Sequence, residues 1–184
     1  MDFMGRVGLK LLAVVTITII GGCKGTSDKS DIAKADKEVI QQSDGNILLE
    51  INDAYLLSDA EHPARNTAEW QFQVLNKGRY EVWLSSITRD TMDLNFDDPV
   101  IVTFENKRIT EKPVGNEIVL NDKDVIKPYF RADSKLGSIY IEDPGHYNIQ
   151  VISEKLIPEP VSAGIELPSP HTIVKCLILK PLTR

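Results

Sequence analysis

The stretch WQFQVLNKGRYEVWL, Trp70 to Leu84, decides the fold. Trp70, Phe72 and Val74 alternate with Gln71 and Gln73, and Tyr80, Val82 and Leu84 alternate with Glu81 and Trp83. Apolar side chains at every second residue are the mark of a strand with one face on a core. Asn76-Lys77-Gly78 between the two halves is turn chemistry, because Asn and Gly accept backbone angles that other residues avoid. The stretch therefore predicts two strands joined as a hairpin.

A second stretch, GSIYIEDPGHYNIQV from Gly137 to Val151, lies over the first at a constant offset of 67. The pairs Phe72/Ile139, Val74/Ile141, Tyr80/Tyr147, Val82/Ile149 and Leu84/Val151 are inward positions in both, and a second hairpin is expected. Either an internal repeat or two hairpins obeying the same turn rules produces such an echo. The same alternation covers Ile47 to Leu57, Val100 to Phe104, Glu117 to Leu120 and Thr172 to Leu179, with Asp143-Pro144-Gly145 and Asn121-Asp122 as turns. No long stretch of helical period follows residue 45. The expected fold is all-β, an antiparallel two-sheet β-sandwich.

The N-terminus is a targeting segment. Arg6 and Lys10 form a basic front, Leu11 to Ile20 an uncharged run, and Gly21 and Gly22 a small-residue site before Cys23. The run is shorter than the roughly 20 apolar residues that a membrane span needs. Ile20-Gly21-Gly22-Cys23 looks like a lipobox, in which the leader is cut before a cysteine carrying diacylglycerol. The expected organisation is a signal peptide over 1–22, an acylated Cys23 with a flexible tether over 23–44, and a sandwich over 45–184. The tether is read from Lys, Asp, Ser and Gln with few large apolar residues. Multiple acyl chains give a stable membrane anchor, and Lys24 carries no evident mark of inner-membrane retention, so an exported, outer-membrane lipoprotein is expected.

The remaining cysteine, Cys176, lies in an apolar strand-like run and reads as a small buried hydrophobe; with Cys23 acylated, no internal disulfide can form. The chain carries 21 Lys and Arg against 27 Asp and Glu, a net charge of −6, and loss of Asp2, Arg6 and Lys10 with the leader makes it −7. Nucleic acid and anionic headgroups are poor partners for such a domain.

Three stretches resemble a known family, the galactose-binding-like jelly rolls of carbohydrate-binding-module families 6 and 35. They are Leu49-Glu50-Ile51-Asn52-Asp53-Ala54; Ala68 to Val74 with Gly78-Arg79-Tyr80-Glu81-Val82; and Leu136 to Ile141 with Gly145-His146-Tyr147 and Val174 to Pro181. The resemblance implies a jelly-roll sandwich and, by analogy, a carbohydrate ligand. It also implies a structural Ca²⁺ held in part by Glu50 and by the acidic position that is Asn52 here. An amide brings one charge fewer, which weakens such a site.

Sugars stack on flat aromatic side chains while carboxylates, amides and Arg bond their hydroxyls. Trp83 is the leading candidate, since Tyr80, Val82 and Leu84 claim the inward face, unless a loop or strand covers the outer one. Trp70 is in phase with Phe72 and is assigned to the core. Tyr129, Phe130 and Arg131 follow Pro128 in a segment where such modules place a ligand loop; Asp97, Asp98 and Asp133 could converge there, and Tyr140 is outward by alternation. Catalysis is not expected. His62, His146 and His171 have no metal-ligand spacing, and no phosphate loop or nucleophile elbow occurs. Two functions remain: a lipid-anchored module that binds oligo- or polysaccharide, or an envelope lipoprotein acting through a protein partner. Trp83 and the Tyr129–Phe130 loop in one exposed trough favour the first; burial of both leaves the sugar reading on resemblance alone.

Overall fold

A computed structural model describes residues 38–125, 127–156 and 172–182 of the chain. The leader, Cys23, most of the tether and His171 lie outside these residues. The described residues form eleven strands, β1 (Val39–Ile40), β2 (Ile47–Glu50), β3 (Tyr55–Leu57), β4 (Thr67–Val74), β5 (Gly78–Thr88), β6 (Val100–Phe104), β7 (Lys107–Glu111), β8 (Glu117–Val119), β9 (Phe130–Ile141), β10 (Gly145–Ile152) and β11 (Thr172–Pro181). Sheet A has the order β1-β4-β10-β6-β7, with β3 also on β4; sheet B has the order β2-β11-β5-β9-β8. Every pairing is antiparallel except β1 with β4. This is the expected all-β two-sheet sandwich, and no α-helix occurs among the described residues.

The inward positions read from alternation form the core. Phe72, Val74, Tyr80, Val82, Leu84, Ile139, Ile141, Ile149 and Val151 are all buried, and Tyr147 packs against them from the rim. Phe72, Phe104 and Tyr147 meet as tilted rings with centroids 5.5–6.3 Å apart, a geometry that adds to simple burial. Trp70 is buried as expected, and its indole N–H donates to the Glu50 carbonyl at 2.7 Å, tying sheet A to the end of β2.

Neither of the two echoing stretches is a hairpin. β4 pairs with β10 and β5 with β9, so each stretch is an arch that crosses from one sheet to the other. Alternation says which side of a strand meets the core; it says nothing about which strand takes its hydrogen bonds. The arches instead pair with each other. Val74 pairs with Gly145 and Gly78 with Ile141, and the offset of 67 turns the first pair into the second, just as it turns Phe72–Tyr147 into Tyr80–Ile139. The echo is thus an approximate two-fold within the fold, kept until the bulge at Val82/Trp83.

Two further expectations are corrected. Ile47 to Leu57 is not one strand, because a 3₁₀ turn at Ile51–Asp53 sends β2 to sheet B and β3 to sheet A. The fold also begins before residue 45. Val39 and Ile40 pair with Phe72 and Gln73, and Gln41 is 5% exposed. Its amide donates to the Gly45 carbonyl (2.6 Å) and the Tyr80 hydroxyl (2.8 Å), and its oxygen accepts the N–H groups of Leu75 (2.8 Å) and Asn76 (2.9 Å). A glutamine can be buried when every polar atom finds such a partner.

Candidate functional site

The outer face of sheet B gathers three of the candidate ligand residues. Cross-strand pairing puts Arg79 beside Tyr140, Glu81 between Lys180 and Ser138, Trp83 between Ile178 and Lys135, and Ser85 between Cys176 and Asp133. Ile87 then sits beside Arg131. Tyr140, Trp83 and Arg131 therefore share one face, with Tyr140 at one end, Trp83 near the middle and Arg131 at the other end.

Their surroundings differ sharply. Tyr140 is 60% exposed. Trp83 is only 8% exposed: its N–H donates to Glu81 Oε2 at 2.9 Å, and Lys180 Nζ stands 4.0 Å from the ring centroid. Lys135 pairs with the other oxygen of Glu81. The hydrogen bond from Lys135, followed by that from Trp83, holds the Glu81 carboxyl below its ordinary 4.5.

Arg131 is paired within the protein. It forms an ion pair and hydrogen bond with Asp122, and its Nε lies 3.2 Å from Asp133 Oδ1 at an angle outside hydrogen-bond geometry. Asp133 is buried and also accepts the Ser85 hydroxyl at 2.7 Å. Lys175 Nζ lies 3.6 Å from both Asp122 and Asp124. For Asp122 burial is the largest influence and pushes its carboxyl up, but the Asp124 N–H, Lys175 and Arg131 together outweigh it and leave the group below 3.8. The network fastens the 121–125 loop to the sheet. Cys176 beside it is buried, and that burial pushes its thiol up to about 12.

The other candidates lie at the end of the sandwich where β5 stops and β9 starts. Tyr129 is half-buried with the Arg89 guanidinium 5.5 Å from its ring centroid, and Phe130, paired with Thr88, is half-buried and in phase with the core. Asp97 is exposed, and its N–H donates to Glu154 at 2.9 Å. Trp83 and the Tyr129–Phe130 segment therefore do not line one exposed trough, and the six candidates do not assemble into a single site.

The calcium candidates lie at the junction of β2 and the 3₁₀ turn. Glu50 ends β2, Asn52 is exposed in the 3₁₀ turn, and among the described residues no group of three or more His, Cys, Asp or Glu side chains could hold a metal. Calcium takes six to eight oxygens, backbone carbonyls among them, so Glu50 and Asn52 alone do not make such a site. His62 lies beside Asp59 and His146 beside Glu38, at opposite ends of β4. The polar groups around Trp83 that sequence reading did not single out are Glu81, Lys135, Lys180 and Glu117. Strand register sets Glu81, Lys135 and Lys180 near Trp83, and Glu117 joins them through its ion pair with Lys180.

No protein-family model and no curated protein matches the chain. Among solved structures, it is similar to the α-L-fucosidase from Vibrio sp. strain EJY3, at 16% identity and a TM-score of 0.62, over 78% of this chain and 24% of that one. Two weaker likenesses are the Podospora anserina GH26-CBM35 β-(1,4)-mannanase (12% identity, TM-score 0.44, 77% and 28% of the chains) and the insecticidal crystal protein Cry2Aa (11%, 0.45, 77% and 22%). The chain spans less than a third of each of these structures. The likeness shows the fold, a two-sheet sandwich.

Proposed function

We propose that the sandwich is a non-catalytic carbohydrate-binding module, exported and tethered to the outer membrane through an acylated Cys23, and that glycan lies on the outer face of sheet B between Tyr140 and Trp83. One observation carries the reading: the exposed Tyr140 and the 8% exposed Trp83 share a face with Arg79, Glu81, Lys135 and Lys180. Stacking surfaces flanked by hydrogen-bonding groups are what a sugar requires. Arg79, the partner of Tyr140, is four residues from Trp83 along β5, so the aromatics stand on the order of 14 Å apart. That span suits an oligosaccharide.

A glycan-array screen of the full-length chain in detergent, with calcium present or chelated, tests the proposal. Binding that is lost in folded Tyr140→Ala supports it. A folded chain that binds no glycan sinks it and leaves the second reading, a protein partner, which the separation of Trp83 from the Tyr129–Phe130 segment favours. The anchor is tested separately by palmitate labelling in the producing cell: label on the wild type and none on Cys23→Ser is expected, and equal label on both contradicts it.

A further inference from the structure

Trp83 is shielded by charge. Lys180 Nζ, from β11, stands over the indole ring, and Oε2 of Glu117, from β8, lies 3.7 Å from the same ammonium. β11, β5, β9 and β8 are successive strands, so the two side chains reach toward each other across the sheet from opposite sides of Trp83. The two restraints on the indole differ in kind. Its edge is fixed by the hydrogen bond to Glu81, itself paired with Lys135. The ring face that Lys180 covers is held by an ion pair whose partners are 32% and 55% exposed. Such a pair favours its closed form by a factor of about five or less, because water and salt screen it. The ammonium over the ring adds a comparable factor.

We infer that Lys180 and Glu117 form a removable cover over the Trp83 indole. Closed, the pair shields the ring from water. Open, it presents a flat aromatic face flanked by Glu81, Lys135, Lys180 and Glu117. The inference rests on the reading of this face as the glycan site, and adds that a sugar binds by displacing the ion pair, with its hydroxyls taking up the freed ammonium and carboxylate.

Acrylamide quenching of tryptophan fluorescence tests the cover without any glycan. The chain has two tryptophans, and Trp70 is 1% exposed, so any gain in quenching reports Trp83. In the full-length chain in non-ionic detergent, Lys180→Ala is expected to raise the quenching constant at least about twofold. Glu117→Gln and 1 M NaCl on the wild type should each raise it by less, and Trp83→Phe added to Lys180→Ala should abolish the gain. Unchanged quenching in Lys180→Ala and Glu117→Gln, with the far-ultraviolet circular dichroism of the wild type, overturns the cover. If quenching rises and no glycan binds, the cover stands and the glycan reading falls; if a glycan binds and quenching does not rise, the cover alone falls.

Discussion

Replacing Gln41 by Ala removes the side chain that locks the N-terminal segment onto the sandwich. Four hydrogen bonds go at once: two donated, to Gly45 and Tyr80, and two accepted, from Leu75 and Asn76. Each is worth about 1 kcal/mol net, and a buried donor left unmet costs about 1–3 kcal/mol. The site borders a cleft of about 260 Å³ lined by Ser43, Asp44, Lys77 and Arg79, so water can reach part of the gap and the upper sum is not attained. The expected loss is about 3 kcal/mol. For a domain of this size that lowers the melting temperature by about 6–12 °C. Urea unfolding of the chain from Lys24 onward measures it, with Gln41→Met as the volume-matched control. A loss below about 0.5 kcal/mol for Gln41→Ala would refute the claim that residues before 45 belong to the fold.

Gly137 and Gly78 share an unusual backbone (φ 158° and 150°), but a Cβ on Gly137 would sit 3.3 Å from two Ile109 carbons, whereas nothing lies within 4 Å at Gly78. Gly137→Ala should therefore cost more than Gly78→Ala, by about 1–2 kcal/mol of overpacking in a urea titration; equal losses would show that Ile109 gives way freely. Cys176, buried with its thiol pushed up to about 12, should react with a thiol reagent at pH 8 at least about a thousandfold more slowly than in the urea-unfolded chain. Glu81 and Asp122 have carboxyls held below their ordinary values, so the stability they contribute is present above pH 5 and lost as pH falls through their lower folded-state values. Melting temperature should fall between pH 5 and 3, and Glu81→Gln should flatten that slope; an unchanged slope would remove Glu81 from the account.

The sandwich was legible because Phe72, Val74, Tyr80 and Val82 lie on one side of their strands, and a core needs nothing more to be recognised. The partners were not legible. The Asn76-Lys77-Gly78 turn suits a hairpin or an arch equally well, and the choice was made by β9 and β10, some sixty residues away. β7 escaped notice because Lys107 to Glu111 holds a single apolar residue, Ile109, whose role is to cover Gly137. Gln41 looked like tether because its composition is polar, and its burial depends on four partners from other segments. In the same way, alternation put Trp83 outside the core but could not reveal that Lys180 and Glu117, more than sixty residues apart in sequence, meet above it. Arg131 pairs with Asp133, two residues along its own strand, and with Asp122, a loop residue that alternation could not place.

We place the glycan on the face that carries Trp83. The two indole N–H signals in a nitrogen-15 correlation spectrum report on it directly, since Trp70 is tied to Glu50 in the core and Trp83 to Glu81 on the face. Titration with an oligosaccharide that binds the chain should move the Trp83 signal saturably and leave the Trp70 signal in place. Binding that leaves the Trp83 signal unmoved would contradict the account and place the site elsewhere on the sandwich.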